Sequence, residues 1–191
     1  NFDQKKLGKG LGELHLKSAE SNPKMFGFPV EGFIGTTDQK KGLEDNWIDC
    51  FLNLRIIPQL LILKSRTLDK EIINKVKEKI KTELLNHKPI NALVHGDLWS
   101  GNAGMDKSGK GVIFDPASWW ADNEVDIAMT KLFGGFKKEF YEEYHKIFPI
   151  KNGFEKRIII YNFYHILNHA NMFGGGYLKQ VEAYVKAIFN M

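Results

Sequence analysis

The chain has 191 residues, of which 43% are hydrophobic and 26% charged, and its formal net charge is +4. This length and composition predict one soluble globular domain with a sizeable core. The small positive excess does not indicate a nucleic-acid-binding protein, and no apolar run reaches the roughly 20 residues that a membrane-spanning helix needs. The single cysteine, Cys50, cannot form an internal disulfide, which favours a reducing compartment, the cytoplasm, unless a targeting signal lies upstream of Asn1.

The N-terminal part of the chain is predicted to contain one helix and an irregular segment. Leu7, Leu11 and Leu14 recur at helical spacing and predict a helix over residues 3–16, although glycines interrupt the pattern. Residues 25–37 are rich in glycine and other turn formers. They predict an ordered loop or a short irregular hairpin.

Two further helices are expected before residue 90. Asp45 or Asn46 is a suitable N-cap for a helix over residues 47–63. Pro58 lies within that pattern and should kink or end the helix. The next helix carries an apolar stripe at helical spacing, formed by Leu68, Ile72, Val76, Ile80 and Leu84. The lysines that flank this stripe are interpreted as a solvated face.

Two short apolar strands are predicted in the middle of the chain. Residues 92–94 run directly into a His-Gly-Asp sequence, and residues 112–114 run directly into Asp115. A tight turn over residues 106–111 separates them, so the two strands are expected to pair as a hairpin with a polar cluster at the end of each. The rest of the chain is predicted to be helical, over residues 124–133, 137–147, 155–173 and 178–189. The predicted fold class is therefore α+β, mostly helical, with one small hairpin carrying the polar clusters.

These polar clusters contain the residue types that phosphoryl transfer requires. Asp97 is followed five residues later by Asn102, and Asp115 follows the second strand. Phosphoryl transfer needs a carboxylate that orients the attacking hydroxyl and accepts its proton, and oxygen ligands for magnesium ions that bridge the nucleotide phosphates. The hairpin should bring Asn102 and Asp115 together to share a metal and leave Asp97 facing the substrate. Gly96 and Gly101 allow the backbone to bend tightly around the phosphates.

Several of these features also allow simpler interpretations. The segment around Asp97 would be an ordinary polar loop if its spacing to the other two residues were accidental. His165 and His169 lie four residues apart on a predicted helix and could share a metal, but no third ligand is evident, which favours a structural role. Gly174–Gly176 follows a helix and precedes no Lys-Ser/Thr pair, which favours a helix end over a phosphate-binding loop.

The sequence around Asp97 resembles that of a known group of kinases. His-Gly-Asp at residues 95–97 followed by Asn102 is similar to the catalytic loop of aminoglycoside phosphotransferase-like and choline-kinase-like enzymes, a variant of the protein-kinase loop. Longer segments resemble the fructosamine (ketosamine) kinases specifically, and they span nearly the whole chain. These segments are residues 26–28, 32–35, 93–102, 114–118, 126–129, 132–136, 164–169 and 173–174, together with Trp47.

This resemblance implies a fold and an activity. The fold would be the C-terminal lobe of a protein-kinase-like structure over residues 1–191, with the N-terminal nucleotide lobe absent. The activity would be phosphorylation of a sugar hydroxyl on a ketoamine with ATP and Mg²⁺ as cofactors, in protein deglycation repair. The ketoamine would be a small molecule or a glycated protein lysine.

The resemblance also implies roles for individual residues. Asp97 would be the catalytic base, and Asn102 and Asp115 would hold Mg²⁺ and, through it, the nucleotide. Asp126 would sit on a buried helix and support the catalytic loop by accepting its backbone hydrogen bonds. Trp99 and His95 would contact the substrate. The indole face of Trp99 can pack on the C–H side of a sugar.

The sequence departs from the family pattern in two places. The glycine-rich strand pair, strand lysine and helix glutamate of the N-terminal lobe cannot be placed in this chain, so the chain alone is expected to lack kinase activity. Trp119 and Trp120 are bulkier than the family pattern, and they either reshape the pocket mouth or pack in the core. Two other functions stay open: a kinase of the same fold acting on an aminoglycoside or choline-like substrate, and an inactive fragment that only binds substrate.

Overall fold

The computed structural model describes residues 3–21, 23–63 and 68–191. This part of the chain combines helices with small antiparallel sheets and is mostly helical, as predicted. None of the helices in these ranges is long and apolar enough to cross a membrane.

The first helix, α1 (Gln4–Glu20), extends beyond its predicted end. Asp3 caps it, and the Asp3 carboxylate accepts a hydrogen bond from the Lys6 amide at 3.0 Å. Two of the glycines that weakened the helical prediction, Gly8 and Gly12, are packing positions. A Cβ atom added at Gly8 would lie 2.1 Å from the backbone oxygen of Phe140, so the glycine allows two helices to approach closely.

The predicted second helix is a composite of three segments. Asn46 caps α2 (Trp47–Phe51), which continues through a π-helical turn (Leu52–Ile56) into α3 (Ile57–Leu63). Pro58 therefore does not end the helix, because it lies in the first turn of α3, where a missing N–H is tolerated. The interruption falls in the widened turn directly before it.

The next helix and its buried stripe lie close to the prediction. Asp69 caps α4 (Lys70–Leu84) by accepting a hydrogen bond from the Ile72 amide at 2.8 Å. Ile73 is buried, whereas Ile72 is only partly buried, so the stripe is shifted by one residue at this turn.

The strands form three small antiparallel sheets. The four-stranded sheet has the order β4-β1-β8-β5, and two hairpins lie outside it, β2–β3 and β6–β7. The strands are β1 (Phe26–Phe28), β2 (Gly32–Ile34), β3 (Thr37–Gln39), β4 (Gly42–Glu44), β5 (Asn91–Val94), β6 (Ala103–Met105), β7 (Gly111–Ile113) and β8 (Trp119–Asp122).

The predicted pairing of residues 92–94 with residues 112–114 is wrong. The first of these strands, β5, pairs with β8, so that Val94 lies opposite Trp119. The second, β7, pairs with β6, a strand that was not predicted from the sequence. Three-residue strands carry little pairing information of their own, so burial of Trp119 in the core decides the partner of β5. Asp97 therefore follows a strand of the larger sheet rather than a strand of the hairpin.

The helices of the C-terminal part agree with the prediction to within two residues at each end. They are α5 (Glu124–Leu132), α6 (Lys138–Ile147), α7 (Phe154–Phe173) and α8 (Gly176–Phe189). Gly174 is the C-cap of α7, with a φ of 62°, so the glycine run marks a helix end as predicted.

Two clusters of buried side chains hold these elements together. In the larger cluster, Trp47 and Trp119 stack with their ring centroids 5.6 Å apart, and Trp119 is fully buried. Trp119 therefore packs in the core, one of the two alternatives left open for it. In the smaller cluster, Leu98 is fully buried together with Ile127 and Phe140. Leu98 follows Asp97 directly, so this cluster anchors the segment that carries the candidate base.

Candidate active site

The His-Gly-Asp segment leaves β5 as a tight loop whose backbone is held on two sides. Gly96 has a φ of 83°, and a Cβ atom there would lie 2.2 Å from the Ala117 backbone oxygen, so only glycine fits. The Ala117 amide donates a hydrogen bond to the His95 oxygen at 2.9 Å. Together these contacts fix the backbone directly before Asp97.

Asp126 on α5 lies beneath this loop. It is fully buried, and its carboxylate accepts hydrogen bonds from the amides of His95 at 2.7 Å and Gly96 at 2.8 Å. His15 on α1 lies 3.1 Å from the same carboxylate through Nε2, and its Nδ1 lies 2.9 Å from the Tyr144 hydroxyl. Burial works against ionisation of Asp126, but the hydrogen bonds from His15 and Gly96 outweigh it and lower the pKa of this carboxyl.

The hairpin brings Asn102 and Asp115 to the same place. Asn102 ends a 3₁₀ turn (Ser100–Asn102) directly before β6, and Asp115 follows β7. The Phe114 amide donates to the Asn102 backbone oxygen at 3.1 Å, which fixes the two segments side by side. Asp115 has a φ of 54°, and it alone among the non-glycine residues of the described ranges has a positive φ. Such a conformation is characteristic of functional turns.

These two residues offer oxygen atoms that suit Mg²⁺. The Asn102 amide nitrogen donates to the Asp97 backbone oxygen at 2.9 Å and to its carboxylate at 3.2 Å, so its Oδ1 points to the opposite side. Neither that Oδ1 nor the exposed Asp115 carboxylate accepts a hydrogen bond from any residue in the described ranges. A carboxylate and an amide oxygen are hard ligands of the kind that Mg²⁺ prefers.

Asp97 is in an environment that suits a base. Its side chain is partly buried. Burial raises the pKa of the Asp97 carboxyl above its ordinary value, while the neighbouring His95 and His169 and the hydrogen bond from Asn102 oppose this rise. A carboxylate with a raised pKa accepts a proton more readily from a substrate hydroxyl.

Replacing Asp97 by Asn should raise the thermal stability of the chain at neutral pH. The folded state must hold a charged carboxylate in a partly buried place, and the amide removes that charge while it can still accept from Asn102. Because the folded pKa is raised, the gain is largest above that pKa and disappears as the pH falls to the ordinary value for Asp. Scanning calorimetry at several pH values measures this, since about 2–4 °C corresponds to 1 kcal/mol at this size.

Asp106, in the β6–β7 turn, provides the matched control. Hydrogen bonds from Ser108 and Lys110 lower the pKa of this exposed carboxyl. Asp106→Asn should therefore lower the thermal midpoint at neutral pH, the opposite direction. If Asp97→Asn did not raise the thermal midpoint at neutral pH, the role given to burial at Asp97 would be contradicted.

An aromatic wall stands beside Asp97. Trp99 is 39% exposed and meets Phe133 edge to face, with 6.2 Å between the ring centroids. Phe133 in turn lies 5.1 Å from the His169 ring. An exposed indole face can pack against the apolar face of a sugar. The substrate role of Trp99 stays a prediction.

His95 is placed differently. It is 4% exposed, its Nε2 lies 2.9 Å from the Phe114 oxygen, and its Nδ1 accepts from the Asp97 amide at 3.3 Å. These contacts tie the loop that carries Asp97 to the hairpin that precedes Asp115. The substrate role of His95 stays a prediction, and its contacts favour a positioning role.

Comparison with known proteins identifies the family of this chain. The fructosamine kinase family matches residues 1–191, the whole chain. The chain belongs to the fructosamine kinase family.

Individual members of the family share much of the sequence. A protein of Synechocystis assigned as a ketoamine kinase is 42% identical over 181 residues, which cover 95% of this chain and 60% of that protein. The protein-ribulosamine 3-kinase of rice, Oryza sativa subsp. japonica, is 40% identical over 196 residues, which cover 99% of this chain and 55% of that protein. The chain therefore spans less than two thirds of these relatives.

A solved structure shows the same fold. The crystal structure of a Haemophilus somnus protein assigned as a fructosamine-3-kinase matches with a TM-score of 0.86 at 25% identity. The match covers 98% of this chain and 64% of that one. The fold described above is therefore that of the fructosamine kinase family.

Two residues beside the site were missed or set aside in the sequence analysis of this fructosamine kinase family member. His15 was not singled out, because a lone histidine on an otherwise apolar helix face gives no local signal. His169 was interpreted as structural, yet it lies close enough to Asp97 to lower its pKa. Within the described ranges, His165 and His169 belong to no group of three or more His, Cys, Asp or Glu side chains close enough to share a metal ion.

Proposed function

We propose that this chain is the catalytic and substrate-binding lobe of an ATP- and Mg²⁺-dependent kinase that phosphorylates a sugar hydroxyl of ketoamines. The observation that carries the proposal is the arrangement around Asp97: a partly buried carboxylate with a raised pKa accepts a hydrogen bond from Asn102 and lies on the same loop as the exposed ring of Trp99. Membership of the fructosamine kinase family supports the same substrate class.

In the proposed reaction, Asp97 and the residues around it have distinct roles. The Asp97 carboxylate orients the attacking sugar hydroxyl and accepts its proton as the phosphoryl group is transferred. Asn102 and Asp115 would hold Mg²⁺, which neutralises charge on the nucleotide phosphates. Trp99 and Phe133 would pack against the sugar ring. Asp126 would keep the loop in place from below.

The proposal extends to the setting of the reaction. Relatives are named as a ketoamine kinase and as a protein-ribulosamine 3-kinase. We therefore propose that either a small glycated amine or a glycated protein lysine would be a substrate, in deglycation repair. A nucleotide-binding N-terminal lobe would complete the kinase fold, and residues 1–191 alone would then lack useful activity. The free, buried Cys50 supports a reducing compartment such as the cytoplasm.

The full-length protein that contains this chain should phosphorylate fructosyl-lysine and leave choline and kanamycin almost untouched. The reason is that the resemblance extends beyond the shared kinase loop to the aromatic wall. A side-by-side assay of ATP consumption, with and without Mg²⁺, measures this. Faster consumption with choline or kanamycin would assign the chain to another substrate class, and undiminished turnover without Mg²⁺ would contradict the metal role.

A further inference from the structure

Two arginines lie buried in the described part of the chain, and their guanidinium groups have different hydrogen-bond partners. Arg157 is paired with Glu124, its Nε at 2.5 Å from one carboxylate oxygen and its Nη2 at 2.9 Å from the other. Arg55 is 1% exposed, and its Nε and Nη2 have no hydrogen-bond partner among the described residues. The pair of nitrogens that holds a carboxylate in Arg157 is thus unused in Arg55.

The remaining contacts of Arg55 are with neutral groups. Its Nη1 donates to the backbone oxygens of Lys40 at 3.1 Å and Leu54 at 2.9 Å. The Leu54 oxygen needs this donor, because Pro58 four residues later has no N–H to offer. The guanidinium also lies 4.1 Å from the ring centroid of Trp119. These contacts orient the cation, but none of them supplies a negative charge.

A buried cation without a counter-charge is unfavourable for folding. Burial lowers the pKa of Arg55, yet a guanidinium stays protonated in proteins. Apolar side chains of similar volume are often at least as stable in such places. Arg55 also lies in the π-helical turn Leu52–Ile56, and turns of this kind are frequent at functional sites. A ligand that brings a negative charge would account for this arrangement.

Arg55 borders a cavity of about 250 Å³. Phe28 and Phe33 form its apolar side, and Lys40 adds a second cation. The one carboxylate on its lining, that of Glu31, is exposed and lies 3.6 Å from Lys41. The Nε and Nη2 atoms of Arg55 are buried, whereas the side chains of Phe33 and Lys40 on the same cavity lining are exposed.

This cavity is next to the catalytic loop. Ala117 is part of its wall and donates to the His95 backbone oxygen. Tyr164, which is buried, is influenced by both places: its pKa is raised to about 12, chiefly by burial, and the charge of Arg55 opposes this rise while the charge of Asp97 adds to it. Arg55 and Asp97 therefore lie within electrostatic range of one side chain.

We propose that the cavity at Arg55 binds the carboxylate of a small organic acid with an apolar side chain. The Nε–Nη2 edge of a guanidinium fits a carboxylate with two parallel hydrogen bonds, and a single buried cation balances a single negative charge. The carboxylate belongs either to the amino-acid half of the ketoamine itself or to a separate acid. The first source rests on the proposed function, and the second does not.

The test uses the Nε–H signals of arginine in an NMR titration of this chain. The chain has three arginines, so Arg55→Lys and Arg157→Lys assign the signals. The probes are N-fructosylvaline, its carboxamide and N-acetylvaline. We expect N-fructosylvaline to shift the Arg55 signal and not the Arg157 signal, and its carboxamide to bind about 10-fold more weakly or worse, since a hydrogen bond to a charged group is lost. Equal binding of N-acetylvaline would assign the site to a separate acid.

Variants separate this inference from the proposed function. Arg55→Gln should abolish the difference between acid and carboxamide, whereas Lys40→Gln, a matched change at the same cavity, and Asp97→Asn should keep it. An Arg55 signal that does not move, or a preference that survives in Arg55→Gln, would overturn the inference. Phosphorylation of the carboxamide by the full-length protein would leave the proposed function standing in that case.

Discussion

Replacing Asp97 by Asn should lower turnover of the full-length protein by roughly 10²–10⁴-fold, the usual contribution of a general base. The amide has the same shape and can still accept from Asn102, so the loop keeps its geometry. What is lost is the ability to accept the proton of the attacking hydroxyl. Single-turnover and steady-state ATP consumption at saturating ketoamine measure the effect.

Asp115→Ala is the control for this experiment. Asp115 is exposed and lies on the hairpin side of the site, where it would hold Mg²⁺ and not the substrate hydroxyl. Calorimetric titration should therefore show that Asp115→Ala loses Mg²⁺-dependent nucleotide binding, and that Asp97→Asn retains it. Near-normal turnover of Asp97→Asn would remove Asp97 from the role of base.

Replacing Asp126 by Ala should lower the free energy of unfolding of the chain by roughly 3–5 kcal/mol, the typical result of removing one member of a buried charged network. The change leaves the amides of His95 and Gly96 and the ring of His15 without their shared acceptor in a fully buried place. Urea unfolding, followed through the fluorescence of the four tryptophans, measures the loss.

Asp38 on β3 offers a matched control, because it is an exposed carboxylate. Asp38→Ala should change the free energy of unfolding by no more than about 0.5 kcal/mol. Asp126→Asn, which keeps one acceptor oxygen, should fall between the two. Similar losses for Asp126→Ala and Asp38→Ala would mean that the hydrogen bonds beneath the loop contribute little to stability.

Several parts of this molecule follow from the sequence by itself. The helices of the C-terminal part end within two residues of their predicted positions, because each carries an apolar face with the period of a helix. The closeness of Asp97 and Asn102 in space also follows from the sequence, because they belong to one loop and lie only five positions apart in the chain. The candidate base and its amide neighbour could therefore be predicted without a fold.

Strand pairing and the surroundings of the site depended on the tertiary structure. The strand before His95 pairs with β8 because Trp119 is buried against Trp47, a contact between residues 72 positions apart that no local pattern encodes. His15 reaches Asp126 across 111 residues of sequence. Such contacts depend on how whole elements pack, and short strands and single polar residues carry too little apolar surface to specify a partner alone.

The partners of the two buried arginines also depended on the tertiary structure. In the sequence, Arg55 and Arg157 look alike, because each directly precedes a run of isoleucines on a helical segment. Only the packed structure gives one of them the carboxylate of Glu124 and leaves the other facing neutral groups beside a cavity. Charge compensation in a protein interior is decided by which distant side chains the fold brings within about 3 Å of each other, because hydrogen bonds act only at that range.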